Sequence, residues 1–293
     1  MKLPFFVVDP WVRRRARLDS IDLDRFQIRL ARTAKEYEDA FRLIHLAYAF
    51  KGIEPMRRLD LRITEQHVLS EAVVLVAYER ERLVGTISVT KDSPAGLPLD
   101  KDYPSELASL RSDGARLSEV GSLAVVQRCW HSGLMPLLGM AAARVGFRIH
   151  GSSHNVIGIH PKASDFYRAI WNFHPLGAVR QHTELEAPVI GLAHERSAVQ
   201  THFSRHHRGT RGLVPLKYTF GAQLPNGLEL PEEIAAEAWP RFKMPREVFR
   251  TIFVEQSNRL SELSPATMQH LRSQRSEETM GVNHEDPREE RNV

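Results

Sequence analysis

Residues 117–149 combine a buried strand, a short polar turn and an apolar helix, an arrangement that can bind an anion. The backbone N–H groups at the start of a helix can bind a phosphate without help from any side chain. A plain strand-to-helix connection would show the same pattern, with Arg128 as a surface charge. The residues of the turn that would face a phosphate are Arg128, His131, Ser132 and Gly133.

A histidine pair and the single cysteine are two further patterns that could carry chemistry. His202 and His206 have the i, i+4 spacing of a metal-binding pair, but no third ligand stands at a standard offset. Cys129 has no histidine partner in its local sequence, which a cysteine nucleophile needs as its base. We therefore expect neither a metal site nor a cysteine nucleophile.

The elements that would position these residues follow from the periodicity of the apolar residues. Helices are predicted over 33–52, where Thr33 and Glu36 form a capping-box pattern, over 133–149 and over 163–169. A long loop rich in Pro, Gly and Asp is predicted at 92–104. Strands are predicted at 26–30, 73–78, 83–89, 117–126 and 156–160, with a last strand pair within 173–192. This mixed order predicts an α/β (α+β) domain over 26–195.

The rest of the chain divides into three regions. Residues 1–25 read as an N-terminal arm with a basic cluster. Residues 196–273 read as a basic segment followed by a helical C-terminal extension, with helices predicted at 232–238 and 247–263. Residues 274–293 are charged and nearly free of apolar residues, so we expect a disordered tail.

The composition excludes several classes of protein. The chain has 293 residues, of which 42% are hydrophobic and 26% charged, so it is not disordered throughout. A net charge of +4 is too small for a dedicated nucleic-acid binder. No apolar run approaches the ~20 residues that span a bilayer, and the apolar N-terminus lacks a small-residue cleavage site. The single cysteine excludes an internal disulfide, and we expect a cytoplasmic protein.

Three segments resemble the GNAT superfamily of acyltransferases. Residues 76–89 resemble its central hairpin, and residues 166–173 resemble its Phe-Tyr-x-x-x-Gly-Phe segment, with Asn172 in place of the glycine. Residues 128–133 resemble its Gln/Arg-x-x-Gly-x-Gly/Ala loop, which holds a pyrophosphate, with His131 in place of the first glycine. The resemblance implies a mixed, mostly antiparallel central sheet flanked by helices.

A narrower resemblance is to the N-acyl amino acid synthases, which are GNAT-like enzymes related to the acyl-homoserine-lactone synthases. It covers roughly residues 26–193 and rests on the loop DSPAGLPLD at 92–100, the strand LSEVGSLAVV at 117–126 and the HPK…FY pattern at 160–167. These enzymes join a long-chain acyl group, carried on acyl carrier protein, to the amine of an amino acid.

This resemblance implies a role for each candidate site residue. Glu119 would act as general base or position the amine, and Tyr167 would protonate the leaving thiolate. The backbone amides of Leu123, Ala124 and Val125 would hold the thioester carbonyl and the pantetheine, while Arg128, His131, Ser132 and Gly133 would face the phosphate. The residue types alone are equally compatible with a solvent-facing glutamate at a strand end and a core tyrosine.

The resemblance also implies which molecules the protein meets. No permanently bound cofactor is expected, and the donor would be the acyl-phosphopantetheine of acyl carrier protein, or acyl-CoA. The replaced glycine favours the carrier protein as donor. A carrier protein lacks the nucleotide half of coenzyme A, so it demands less of the pyrophosphate loop. Residues 196–228 contain no acidic residue and could dock this acidic partner. The alternative is a basic linker that contacts nucleic acid or membrane head groups only weakly.

The sequence therefore predicts transfer of a medium- or long-chain acyl group from acyl carrier protein to the amino group of an amino acid acceptor. Nucleic acid is not an expected partner, and peripheral membrane contact stays open. Two alternatives also remain: an N-acyltransferase that uses acyl-CoA or acetyl-CoA, and a non-catalytic module that binds an acyl lipid. The second is compatible with His131 and Asn172, which stand where glycines are usual.

Overall fold

The strands pair into one mixed sheet in the computed structural model, which describes residues 21–53, 61–185, 187–206, 218–221, 227–230, 244–257, 259–275 and 280. The strands are Gln27–Leu30 (β1), Ala72–Glu79 (β2), Arg82–Lys91 (β3), Leu117–Val125 (β4), His154–Ile159 (β5), His174–Pro175 (β6), Arg180–Gln181 (β7), Pro188–Glu195 (β8) and Leu228–Glu229 (β9). Their order is β6-β8-β5-β4-β3-β2-β1-β9, and β7 pairs with β8. Only β4 with β5 and β1 with β9 pair in parallel among these strands, which confirms the mostly antiparallel sheet.

Helices cover both faces of this sheet. They are Ala34–Phe50 (α1), Pro104–Ser112 (α2), Leu134–Arg144 (α3), Ser164–Trp171 (α4), Arg196–His206 (α5), Arg246–Phe249 (α6) and Pro265–Gln274 (α7). π-helical turns at Val145–Ile149 and Arg250–Glu255 extend α3 and α6. Short 3-10 turns lie at Glu65–Val68, Pro98–Lys101, Gln127–Cys129, Pro161–Ala163 and Arg259–Glu262. None of the helices in the described residues has the length and apolar content that crossing a membrane requires.

Most of the predicted elements of the domain are present, with some differences in the helices. The capping box at α1 is confirmed, because Thr33 accepts from the Glu36 N–H and Glu36 accepts from the Thr33 N–H. Three of the described helices were not predicted, α2, α5 and α7. Of these, α2 buries only Leu107 and so has almost no apolar periodicity. The helix predicted over 247–263 is interrupted after the π-helical turn, and the one predicted at 232–238 lies outside the described residues.

The core is split between the two faces of the sheet by the alternation of side chains along β2. Leu75 and Ala77 belong to the cluster under α3, while Val74 and Val76 belong to the cluster under α1 and α6. Both faces of β2 are therefore buried, which explains why its sequence is a continuous apolar run. A third, smaller cluster lies under the turn at Pro98–Lys101 and α2.

The feature of the fold that creates a site is the short pairing between β4 and β5. Only Leu117–Glu119 of β4 pair with β5, where their partners are His154–Val156, and the two strands separate beyond those residues. On its other edge β4 carries a bulge against β3, where Ser122 has a φ of +51°. A bulge bends the strand that carries it. The sheet therefore opens between β4 and β5 while the rest of it stays paired.

The packing around two glycines near this opening predicts a large effect for one substitution and almost none for the other. A Cβ at Gly146 would lie 2.1 Å from Oδ1 of Asn155, whose amide nitrogen contacts His194 Nε2 at 3.3 Å. Gly146→Ala should lower the free energy of unfolding by about 1–3 kcal/mol in urea titrations, because the buried amide has little room to move. A Cβ at Gly121 meets no atom within 4 Å, so Gly121→Ala should change the free energy of unfolding by less than about 0.5 kcal/mol. Equal losses in both variants would contradict the packing described for Gly146.

Candidate active site

A cavity of about 660 Å³ occupies the opening between β4 and β5. This volume lies within the range of about 300–1,000 Å³ that is typical of small-ligand sites. The polar wall lies on the α1 face and includes Gln66, His67, Ser88, Thr90 and Glu119, next to apolar residues of α1 such as Leu43, Leu46 and Phe50. The wall on the α3 face is mostly apolar and aromatic, with Asn155 and His194 as polar members, and includes Met135, Ile157, Phe166, Tyr167, Trp171 and Phe173. A ligand that passes through the sheet here would meet polar groups at one end and hydrocarbon at the other.

Glu119 belongs to the polar wall and is 8% exposed, and Asp102 and Glu184 also line the cavity. Its Oε2 accepts a hydrogen bond from the Leu99 N–H at 2.7 Å. Burial, helped by the nearby carboxylates of Asp100 and Asp102 and opposed by the Leu99 hydrogen bond, raises the pKa of Glu119 to about 8. A carboxyl group with this pKa both takes up and releases a proton near neutral pH, as a general base must.

A clamp around Arg111 fixes the turn that reaches Glu119. The Arg111 guanidinium donates to both carboxylate oxygens of Asp92, at 2.7 and 2.9 Å, and to both of Asp100, at 2.7 Å. Asp100 also accepts from the Leu97 N–H at 2.7 Å. The two aspartates of the DSPAGLPLD segment thus hold the turn in which Leu99 presents its N–H to Glu119.

A buried histidine and a serine form a second polar pair in the same wall. Nδ1 of His67 accepts from the Thr64 N–H at 3.0 Å, so the proton of the neutral ring is on Nε2, which donates to Ser88 Oγ at 2.9 Å. Burial lowers the pKa of His67 to about 3, which keeps the ring neutral at physiological pH. Sequence reasoning missed this pair. The available signal was the alternation of polar residues in β3, where Thr86 and Thr90 share a face with Ser88.

Tyr167 lines the cavity from α4, in the apolar wall. Its ring lies 5.4 Å from that of Trp171 and 6.0 Å from that of Phe173. Burial raises the pKa of Tyr167 to about 12, so the phenol stays protonated at neutral pH. Glu119 and Tyr167 therefore face one cavity from opposite sides of the sheet.

The structure brings the predicted backbone segment to the cavity but not the predicted phosphate-facing turn. Leu123, Ala124 and Val125 line the cavity beside the β4 bulge. Arg128 does not line it and forms an ion pair with Glu79 instead.

The other three predicted phosphate-facing residues also lie outside the cavity lining, although Gln127 and Trp130 of the same turn line it. His131 is exposed, and the Ser132 hydroxyl donates to the Cys129 carbonyl at 2.7 Å. Gly133 has a φ of +84°, and a Cβ there would lie 2.9 Å from Cγ1 of Ile21. The side chain of Ile21 therefore packs against Gly133 at the start of α3.

The cysteine and histidine patterns have structural explanations. Cys129 is fully buried, and burial raises its pKa, which opposes formation of a thiolate nucleophile. His202 Nε2–H donates to the Ala169 carbonyl at 3.0 Å, and the side chain of His206 lies outside what the structure describes. Among the described residues, His, Cys, Asp and Glu nowhere form a group of three that could hold a metal.

Comparisons with known proteins place this geometry in a family. The model of the N-acyl amino acid synthase FeeM matches residues 39–195, which is more than half of the chain. No curated protein sequence matches it. The structure of FeeM from uncultured soil microbes is 23% identical, with a TM-score of 0.52 over 61% of this chain and 94% of that chain.

Two other solved structures share the fold at lower similarity. The CoA-dependent acyl-homoserine lactone synthase BjaI, solved with SAM and isopentyl-CoA, is 15% identical, with a TM-score of 0.47 over 74% of this chain and 98% of that chain. A ribosomal-protein-S5-alanine acetyltransferase from Vibrio fischeri is 13% identical, with a TM-score of 0.42 over 61% of this chain and 97% of that chain. The match to the FeeM structure confirms the GNAT-like acyltransferase fold predicted from the sequence.

The raised pKa of Glu119 predicts a stability change that depends on pH. Between about pH 5 and pH 8 the folded state holds a proton that the unfolded chain has lost, so the free energy of unfolding falls as pH rises. Glu119→Gln cannot ionise and still accepts from Leu99. The free energy of unfolding of this variant, relative to that of the wild type, should rise by up to about 1.4 kcal/mol per pH unit in this window and then level off, as measured by urea titration.

The control for this prediction is Glu79→Gln. Its ion-pair partners Arg128 and Arg25 lower the pKa of Glu79, so its carboxylate is ionised in both states across the same window. Its stability difference from the wild type should not change between about pH 5 and pH 8. A flat difference for Glu119→Gln would show that the Glu119 carboxyl is not raised in pKa.

Proposed function

Because the chain belongs to the N-acyl amino acid synthase FeeM family, we propose that this N-acyltransferase moves a medium- or long-chain acyl group from acyl carrier protein to the amino group of an amino acid. The observation that carries this proposal is the two-sided cavity, with the buried Glu119 carboxyl in its polar wall and an aromatic compartment opposite. An amphiphilic product with a polar head and a hydrocarbon chain fits that division.

The proposed reaction needs one base and no covalent enzyme intermediate, because a thioester is already activated. Glu119 takes one proton from the substrate ammonium group, and the neutral amine nitrogen then attacks the carbonyl carbon. The nitrogen gives up a second proton, to the departing sulfur or to solvent, as the amide forms. A C–N bond forms, the C–S bond breaks, and the sulfur leaves as a thiolate. A base whose pKa lies near the working pH is suited to this step.

Tyr167 would assist the leaving group with a hydrogen bond and not by transferring its proton. Its pKa of about 12 is higher than the pKa of an alkyl thiol, which is about 8.5. Proton transfer from the phenol to the thiolate would therefore be uphill by roughly 5 kcal/mol. The thiolate would obtain its proton from solvent or from the proton that Glu119 has taken.

The acyl chain would lie in the compartment under the α3 face. Met135, Gly139 and Ala143 line it from successive turns of α3, and the Trp171 ring packs directly against Gly139. Each CH₂ group buried there contributes about 0.8 kcal/mol. The acceptor would enter on the polar side, where Arg62, whose guanidinium lies over the Tyr48 ring at 4.7 Å, would meet its carboxylate.

The carrier-protein donor is supported by the turn before α3. In GNAT enzymes this turn holds a pyrophosphate, but here Ile21 covers Gly133 and Arg128 is paired with Glu79. An apolar side chain at that place offers nothing to the nucleotide half of coenzyme A. A carrier protein presents only phosphopantetheine and so loses nothing by this arrangement.

A turnover assay tests the reaction and the base. The wild type, given dodecanoyl-carrier protein and an amino acid mixture, should yield an N-dodecanoyl amino acid by mass spectrometry. Glu119→Gln should lower kcat by about 10²–10⁴-fold, and kcat/KM of the wild type should rise with pH and level off above about pH 8, since the ionised carboxyl is the base. Glu79→Gln should retain activity. Unchanged turnover in Glu119→Gln would contradict the role of Glu119, and no product with any donor would contradict the function.

A comparison of three dodecanoyl donors tests the donor. Because nothing at the turn favours a nucleotide, dodecanoyl-CoA and dodecanoyl-pantetheine should give kcat/KM values within about threefold of each other. The dodecanoyl-carrier protein should exceed both by more than about tenfold, through contacts of the carrier itself. A rate with dodecanoyl-CoA about tenfold or more above that with dodecanoyl-pantetheine would show that the enzyme binds the nucleotide and would favour a CoA donor.

A further inference from the structure

The polar wall holds a hydroxyl group close to the base. On β3, Ser88 lies opposite Gly121 and Thr90 lies opposite Glu119. Ser88 and Glu119 therefore occupy the same face of neighbouring strands, one side-chain repeat apart, and both line the cavity. Any group that reacts beside Glu119 lies within reach of this part of β3.

The hydrogen bond from His67 decides what the Ser88 hydroxyl can do. Nε2–H of His67 occupies one lone pair of Ser88 Oγ, so the oxygen acts as an acceptor toward the ring and its own proton points elsewhere. Ser88 is 4% exposed and lines the cavity, and His67 is its one side-chain hydrogen-bond partner in the described part of the chain. Its proton is thus available to a molecule bound in the cavity.

Open space lies where that molecule would react. A Cβ built at Gly121 meets no atom within 4 Å, and Gly121 also lines the cavity. This space faces Ser88 across the strand pair and adjoins the site of Glu119. A thioester carbonyl placed there would be next to an amine at Glu119, with its sulfur directed toward the opening and Tyr167.

We propose that Ser88, oriented by His67, donates a hydrogen bond to the thioester carbonyl oxygen and stabilises the oxyanion that forms during acyl transfer. This inference rests on the proposed function. When the nitrogen attacks, the carbonyl π electrons move to oxygen, and they return when the C–S bond breaks. Ser88 keeps its proton throughout, so the step adds no reagent to the reaction.

His67 would be a positioning residue in this arrangement. The Thr64 N–H fixes its tautomer, and the neutral ring fixes the rotamer of the Ser88 hydroxyl. A donor that is already oriented before the reaction costs no reorganisation when charge develops on the substrate oxygen. Removal of His67 should therefore matter only as long as Ser88 is present.

The first test compares two hydroxyl deletions on the same face of β3. Ser88→Ala should lower kcat by about 10²–10³-fold with KM for both substrates within about threefold, as for other oxyanion donors. Ser88→Cys, which keeps a weak donor, should lose less. Thr86→Val is the matched control, because Thr86 Oγ1 donates to the Leu75 carbonyl at 2.9 Å and does not line the cavity. An unchanged kcat in Ser88→Ala, or a raised acceptor KM with kcat retained, would overturn the oxyanion role.

A double-mutant cycle tests the orienting role of His67. His67→Gln should lower kcat in the wild-type background, and it should add less than about threefold to the loss in Ser88→Ala. A purely structural role for His67 would instead make the two losses multiply. Multiplied losses would therefore overturn the positioning role.

Binding of N-dodecanoylglycine, measured by calorimetry, separates this inference from the proposed function. The amide carbonyl of this product-like probe would take the place of the thioester carbonyl, so Ser88→Ala should weaken binding about 5–10-fold and Thr86→Val should not. If the wild type neither binds the probe nor turns over a donor, the proposed function fails and Ser88 has no role in it. If the wild type turns over and Ser88→Ala matches it, only the inference about Ser88 fails.

Discussion

Two parallel strands that pair over three residues and then separate are the constraint on which the rest of the structure depends. Continued pairing of β4 with β5 would seal the sheet, and its two faces would have separate cores. The separation after Glu119 and Val156 joins those faces through one cavity. The polar wall under α1 and the aromatic wall under α3 can therefore contact the same molecule. An N-acyl amino acid, with one polar and one hydrocarbon end, has the chemical division that this passage provides.

Burial gives the polar wall its chemistry and also costs the fold stability. A carboxyl group with one hydrogen bond in an enclosed site resists ionisation, and this is why the pKa of Glu119 lies near 8. The same burial keeps His67 neutral, so that it orients Ser88 without carrying charge. Arg111 holds the turn that supplies the Leu99 N–H, so the DSPAGLPLD segment serves the site through its backbone. Proteins commonly accept such local costs where function requires them.

The donor end of the site departs from the GNAT pattern in a way that the sequence only partly reveals. Replacement of a glycine by His131 is visible along the chain. The cover that Ile21 forms over Gly133 joins residues more than a hundred positions apart. Together with the Arg128–Glu79 ion pair, it engages two of the residues predicted to face a pyrophosphate. These contacts support a donor that presents phosphopantetheine alone.

The sequence by itself determined most of the elements and the strand that carries the proposed base, Glu119. Capping at Thr33, the apolar run of β2 and the strand that contains Glu119 are local signals, because periodicity reports which side of an element is buried. Five of the nine predicted site residues line the cavity, and all five lie on β4 or α4. Only the tertiary structure decided the raised pKa of Glu119, the Ser88–His67 pair and the covered turn at Gly133. Each of these depends on desolvation or on a contact between distant segments, and neither leaves a periodic trace in the sequence.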